Sequence, residues 1–213
     1  MEPKRVSRRK FLQISAITTG VLLVSCSGLT AAGLYTPPTE FPTLTGEGKM
    51  NNKVLVAYTS ICGSTAEVAK EMAKVLSDKG ETVDLMQAKD VKDLSAYKTV
   101  VLGSAVRMGQ WRPEAVDFVK RHQAALGQKS TAFFTVCLTL KDDTEENRKK
   151  VSAYIDPVRA IIKPGKEGFF AGKMDYSRLS FFDGLLTKNM IKAPEGDYRN
   201  WDAIRAWVGE VAA

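Results

Sequence analysis

Lys53–Ala69 reads KVLVAYTSICGSTAEVA, and the parsing of this stretch decides the fold. Val54-Leu55-Val56-Ala57-Tyr58 is a short apolar run rich in β-branched residues, the pattern of a buried strand. Thr59, Ser60, Gly63, Ser64 and Thr65 then cluster hydroxyls around one glycine. Beyond them, Ala66, Ala69, Met72, Ala73 and Leu76 recur at helical spacing. The unit is a strand, a hydroxyl-rich loop and a helix. Such a loop offers peptide N–H groups, small hydroxyl donors and a helix N-terminus to one anion. It contains no lysine or arginine, which separates it from the lysine-bearing loop of nucleoside triphosphatases. Neutral donors suit a phosphate monoester that stays bound, such as that of a flavin mononucleotide. The same residues also describe an ordinary strand-turn-helix capped by Ser64 or Thr65.

Downstream, the chain alternates. The first strand covers 53–59 and the first helix about 64–79, with Gly80 as its stop. Thr82–Met86 reads as the second strand, and the charged connection 88–98 carries at most a short helix. Thr99–Ser104 is the third strand. Pro113 opens a helix that runs to about Leu126, with Ala115, Phe118, Val119 and Ala125 on one side. Thr131–Val136 is the fourth strand, Glu145–Ile162 a helix, Gly168–Lys173 the fifth strand and Trp201–Ala212 the last helix. Strands alternating with helices argue for a doubly wound α/β domain on a parallel sheet. In such sheets the ligand sits at the carboxyl ends of the strands. That selects three connections: 59–65, 104–112 and 137–143. The second, expected as a long loop, carries an arginine, a glycine and a tryptophan, furnishing typical of binding loops. Trp111 equally fits a ring tucked beneath the following helix.

Upstream, residues 1–26 read as an export signal rather than as fold. Ser7-Arg8-Arg9-Lys10-Phe11-Leu12 matches the twin-arginine pattern, and an apolar run from about Ile14 to Val24 follows, too short for a standard membrane-spanning helix. Leu23-Val24-Ser25-Cys26 resembles a lipobox, whose cysteine is lipidated after cleavage. An uncleaved anchor, or a basic amphipathic start, fits the same residues. The expected location is the outer face of the cytoplasmic membrane. Residues 27–52, broken by Gly28, Gly33, Pro37, Pro38, Pro42, Gly46 and Gly48, read as a linker, so the domain proper is expected at 53–213.

Composition narrows the function. The net charge of +7 is inflated by the N-terminus, where five basic residues stand against one acid. Without them 26 basic and 23 acidic residues remain, which does not argue for nucleic acid. Three cysteines without CxxC spacing and a single histidine, His122, give no metal framework and no histidine triad. His122 reads as a surface residue of its helix.

The loop signature Val56-Ala57-Tyr58-Thr59-Ser60, Gly63-Ser64-Thr65 and Ala69 resembles the flavodoxin-like family. More narrowly, VVLGSAVRMGQWRPEAVDFVKRH (100–122), TAFFTVCLTL (131–140) and the segments FFAGKMDYSRLSFFDGLLTKNMIK and DYRNWDAIRAWV (within 169–208) are similar to the menaquinone-dependent protoporphyrinogen dehydrogenase branch. The resemblance covers about 54–212. It implies strand order 2-1-3-4-5 and non-covalent FMN. It implies a phosphate site at Thr59, Ser60, Ile61, Cys62, Gly63, Ser64 and Thr65. It places Ser104, Ala105, Val106, Arg107, Met108, Gly109, Gln110 and Trp111 on one side of the isoalloxazine, and Cys137, Leu138, Thr139, Leu140 and Lys141 on the other. The chain departs from the branch in its export pattern.

A flavin does the redox chemistry while the protein sets its potential and access. Arg107, in a ring-flanking segment, is expected to stabilise the reduced anion and favour two-electron dehydrogenation with the quinone pool or a redox partner as acceptor. The alternatives are a one-electron carrier between proteins and a flavin-less module on the same scaffold. In the implied strand order, Cys62 and Cys137 end strands roughly 9–10 Å apart, beyond the disulfide reach of about 7 Å, and read as small apolar fillers. Residues 174–192 carry Leu179, Phe182, Leu186 and Met190 on one helical stripe, suited to core packing or to a membrane surface or quinone entry.

Overall fold

In a computed structural model, the described residues are 41–46, 53–179 and 194–211. The export pattern, Cys26 and most of the 174–192 stripe lie outside them. One unit, Thr39–Asp175 with Pro194–Ala213, forms the α/β domain. Of the remainder only 176–179 are described, with a 3-10 turn at Tyr176–Arg178.

β1 (Lys53–Thr59) is buried on both faces, as its unbroken apolar run requires. Val54, Val56 and Tyr58 face α1 (Ser64–Asp78) and α6 (Trp201–Gly209), packing with Ala69, Met72, Leu76, Ile204 and Val208. Leu55 and Ala57 face the other way, toward α2 (Pro113–Arg121), and pack with Ala115, Phe118 and Val119. The remaining elements follow in order: β2 (Val83–Gln87), β3 (Tyr97–Arg107), β4 (Gln110–Trp111), α3 (Gln123–Leu126), β5 (Ser130–Val136), α4 (Glu145–Ala153), α5 (Asp156–Arg159), β6 (Lys166–Phe170), β7 (Lys173–Met174) and β8 (Gly196–Asp197). The main strands pair in parallel in the order β2-β1-β3-β5-β6. This is the expected 2-1-3-4-5 arrangement with the short β4 inserted. β4 runs antiparallel on the end of β3, and β7 pairs with β8 in a separate ribbon.

Several expected boundaries move. The helix expected over Glu145–Ile162 stops at Ala153, because Pro157 four residues on clashes with the carbonyl of that residue. The helix from Pro113 breaks at His122, which leaves helical geometry. His122 is not the surface residue expected: its ring lies 4.9 Å from Phe118 and its Nε2 is enclosed without a hydrogen-bond partner among the described residues. Burial holds its pKa below the ordinary value. The fifth strand ends at Phe170, earlier than expected, and Lys173 joins the β7–β8 ribbon instead. Residues 41–46, within the expected linker, pack on the domain: Leu44 bridges Leu85, and the Tyr58 hydroxyl donates to the carbonyl of Pro42 at 2.9 Å.

Gly103 lies mid-β3, where a Cβ would sit 1.9 Å from Cζ of Phe134. Gly103→Ala is expected to lower stability by about 1–3 kcal/mol, the usual cost of overpacking, measured by urea unfolding. Burial, reinforced by Asp90, pushes the Tyr58 hydroxyl up to about 12 from 10.0. A folded-state pKa above the unfolded one gives stability that is complete below pH 10 and lost as pH rises toward 12. The urea midpoint is expected to fall across that window, and to fall less in Tyr58→Phe.

Candidate functional site

The carboxyl ends of β1, β3 and β5 lie at one level. Thr59 is opposite Ser104, and Ser104 is opposite Thr135. The three expected segments therefore start side by side.

The first segment is built around Gly63. It caps α1 with φ 87° and ψ −19°, a left-handed conformation that favours glycine. Its carbonyl accepts the N–H of Glu67 at 2.9 Å, and its own N–H donates to Ser60 Oγ at 3.2 Å. No side chain caps α1, so neither Ser64 nor Thr65 plays the capping role open to it in the sequence. Helix geometry leaves the first-turn N–H groups without intrahelical acceptors. Ser64 Oγ accepts the N–H of Lys173 at 2.9 Å. Because that bond occupies a lone pair, the Ser64 proton stays available to donate. Ile61 and Cys62 are half-buried and Thr65 is buried. The donor set therefore fits a phosphate monoester, with N–H groups and hydroxyls and no cation inside the loop.

The second segment is not the loop expected. β3 continues to Arg107 and turns through Met108 (φ 53°) and Gly109 (φ 74°) into β4, a two-residue hairpin with Val106 opposite Trp111 and Arg107 opposite Gln110. Positive φ at both central residues is the signature of a type I′ turn. Tyr154 backs Gly109, with Cε1 3.3 Å from where a Cβ would be. Ser104 is buried and its hydroxyl is fully used: it accepts from Thr59 Oγ1 and from the N–H of Arg112, both at 3.0 Å, and donates to the carbonyl of Ala105. Trp111 is 4% exposed; its Nε1 donates to Thr135 Oγ1 at 2.8 Å and its ring lies 5.8 Å from Phe133. Both residues therefore hold the hairpin from inside. Arg107, Met108 and Gln110 are exposed, whereas Ala105, Val106 and Gly109 are half-buried.

In the third segment, the N–H of Cys137 donates to the carbonyl of Phe170 and its thiol bonds Thr139 Oγ1 at 3.3 Å. A 3-10 turn spans Leu138–Lys141, burying Leu140. Lys141 pairs with Asp142, which raises its pKa. Cys62 and Cys137, both half-buried, are not joined in a disulfide.

A fourth contributor was not flagged by the sequence. Besides the Lys173 N–H on Ser64, Arg199 reaches α1: its side chain is 4% exposed, binds Glu67 at 2.6 Å and Asp197 at 2.5 Å, and lies 4.5 Å over Trp201. Burial opposes its charge, yet Asp197 and Glu67 raise its pKa on balance, and Arg199 in turn lowers that of Asp197. The only trace in sequence was the DYRNW run, which by itself carries no site chemistry.

A parallel sheet in this order, with a hydroxyl-rich loop free of lysine and arginine between β1 and α1, defines a flavodoxin-type domain. The chain belongs to the flavodoxin family: the family model described as "Flavodoxin domain" matches residues 55–200. FMN is therefore the cofactor of this domain, and the protein is an FMN-type oxidoreductase. Among curated relatives, "Protoporphyrinogen IX dehydrogenase [quinone]" of Leishmania major is 29% identical over 176 residues, covering 76% of this chain and 75% of that protein. The protein of the same name in Escherichia coli strain K12 is 23% identical over 172 residues, covering 75% and 94%. Among solved structures, a flavodoxin from the domain Archaea is 15% identical, covers 75% of this chain and 96% of its own, and has a TM-score of 0.47.

Trp111→Phe keeps an aromatic ring but removes the indole N–H that donates to the Thr135 hydroxyl. It is expected to cost about 1–2 kcal/mol in urea unfolding, with the hairpin amides exchanging faster with solvent.

Proposed function

We propose that the domain is an FMN-dependent dehydrogenase that passes two electrons and two protons from a small reduced organic substrate to membrane quinone, reducing it to quinol. The observation that carries this reading is the match along 94% of the Escherichia coli relative named for quinone-linked protoporphyrinogen oxidation, which makes a porphyrinogen-like substrate the first to test. The flavin supplies the electron chemistry; the chain's residues hold it and set its potential. The N-terminus of α1 with Ser60, Ser64 and Thr65 receives the phosphate. The hairpin from Ala105 to Gln110 borders one side of the ring and Cys137–Lys141 the other. Cys62 and Cys137 serve as small fillers.

Arg107 raises the potential by stabilising negative charge on the reduced ring. The twin-arginine pattern and the Leu23–Cys26 box support a domain tethered at the outer face of the cytoplasmic membrane.

The first experiment is an absorption spectrum followed by anaerobic reductive titration and quinone turnover. The expected result is a yellow protein that goes directly to the two-electron state and reduces menaquinone. A titration that halts at one electron, with no quinone turnover, would give the one-electron carrier instead. Arg107→Ala is expected to lower the two-electron potential by roughly 20 mV, the equivalent of about 1 kcal/mol for one partly screened charge. An unmoved potential would remove Arg107 from the mechanism. Ser64→Ala is expected to weaken FMN binding roughly tenfold, the worth of one hydrogen bond to a charged group. Riboflavin, which lacks the phosphate, should bind unchanged, and this checks that the loss is local.

A further inference from the structure

Lys53, where β1 begins, lies at the edge of the sheet opposite the candidate site. The chain before it does not leave from there. Phe41–Gly46 doubles back along the outer strand β2. Leu44 and Leu85 exchange both backbone hydrogen bonds, at 2.9 and 2.8 Å, in the antiparallel sense. The N–H of Gly46 donates to Asp84 Oδ1 at 2.8 Å, and Lys53 Nζ donates to the carbonyl of Gly46 at 2.6 Å. At the other end, Pro42 receives the Tyr58 hydroxyl, and the rings of Phe41 and Tyr58 lie 6.5 Å apart. Tyr58 is the last residue of β1 before Thr59, so the strap returns the chain to the carboxyl edge. The β7–β8 ribbon is rooted at the same edge by the Lys173 N–H on Ser64. Both ways out of the domain therefore start beside the candidate flavin segments.

We propose that this edge of the domain faces a lipid surface and that the strap sets the orientation. The proposal rests on the membrane-tether reading above. Three observations carry it. Met108 is 95% exposed at the hairpin tip, the most exposed large apolar side chain among the described residues, and basic Arg107 stands next to it. The stretch between Cys26 and Phe41 reaches at most about 50 Å, so the tether is short once the strap is docked. The segments continuous in sequence with these two exits carry residues that suit lipid: Ile14–Val24 before the strap, and Phe181, Phe182, Leu185 and Leu186 with Lys188 and Lys192 between β7 and β8. An apolar tip beside a cation is the chemistry that meets acyl chains and phosphate headgroups together. An undocked strap would start the tether at the far edge and lengthen it by twelve residues.

The test uses the full chain on vesicles of phosphatidylethanolamine and phosphatidylglycerol with brominated acyl chains, which quench tryptophan within the bilayer. Met108→Trp probes the carboxyl edge; Gln128→Trp, an exposed position in the turn before β5, probes the opposite edge. The background from Trp111, Trp201 and Trp207 is subtracted with the parent chain. The added emission of Met108→Trp is expected to fall at least twofold on vesicle binding, with that of Gln128→Trp unchanged. Gly46→Val would place its side chain 2.8 Å from Thr82 and 3.0 Å from the Val83 carbonyl, and Tyr58→Phe removes the bond to Pro42 without a clash. In either background the difference between the probes is expected to shrink. Equal quenching of both probes, or stronger quenching of Gln128→Trp, overturns the orientation while leaving the tether standing. A chain that does not float with vesicles overturns the tether and the orientation with it. Shielding of Met108→Trp by an added redox protein but not by lipid assigns the edge to a protein partner and overturns the lipid surface.

Discussion

One hydroxyl governs the geometry of the candidate site. Ser104 Oγ has one proton and two lone pairs to offer, and all three are spent inside the protein, on the carbonyl of Ala105, the hydroxyl of Thr59 and the N–H of Arg112. These partners belong to different structural units. Thr59 is the end of β1, where the phosphate-type loop begins. Arg112 is the residue between the hairpin and α2. A single buried oxygen thus sets the spacing of two site segments and the start of a helix. Each bond is worth only about 0.5–1.5 kcal/mol net, but an orphaned buried hydroxyl costs more, so the three partners move together or not at all. The hairpin stem is fixed in this way, with Trp111 bonded to Thr135 below it, while its tip at Met108 reaches into solvent.

Much of this fold was legible from hydrophobic period alone. The run at Val54–Tyr58 is buried on both faces because helices cover both sides of a parallel sheet, and the helical stripe Ala66–Leu76 is the buried face of α1. What stayed hidden has particular causes. The hairpin at 104–111 reads as a loop because its turn uses Met-Gly rather than the Asn-Gly or Asp-Gly that announces positive φ at both positions. In sequence Trp111 fits a ligand contact and a ring tucked beneath the following helix equally well, and its burial and its bond to Thr135 show the ring turned inward. The strap at 41–46 looks like linker because its composition is that of linkers. Its stability comes from partners 16 and 38 residues away, which no local window contains.

Asp84 shows how a buried charge can hold such a strap. It is 4% exposed on β2, and its two oxygens accept from the Gly46 N–H and from the Tyr97 hydroxyl at 2.8 Å each, with Lys53 Nζ 3.6 Å away. A carboxylate in that position is tolerable only with its acceptors satisfied. The strap supplies one of the donors, so its departure would leave a buried acceptor unpaired. The same residues cover β2, which would otherwise be an open edge ready to pair with another chain.

In the proposed function the loop at 59–65 would hold its phosphate by position rather than by charge. Without a lysine inside it, affinity depends on how well N–H and hydroxyl donors are aimed, since neutral donors attract nothing from a distance. Glu67, in the first turn of α1, favours the helix dipole but would repel a dianion held at the same N-terminus. Arg199 answers that conflict by binding Glu67 from the side away from solvent, itself fixed by Asp197 and by the face of Trp201. Lys173 adds aim rather than charge, since it is its peptide N–H that holds Ser64 Oγ, while its ammonium sits 3.4 Å from Asp175. Residues more than a hundred positions away in sequence thus determine where the hydroxyl points and what charge surrounds it. For that reason the proposed site takes its donors from the loop motif, while the C-terminal segment sets how those donors are presented.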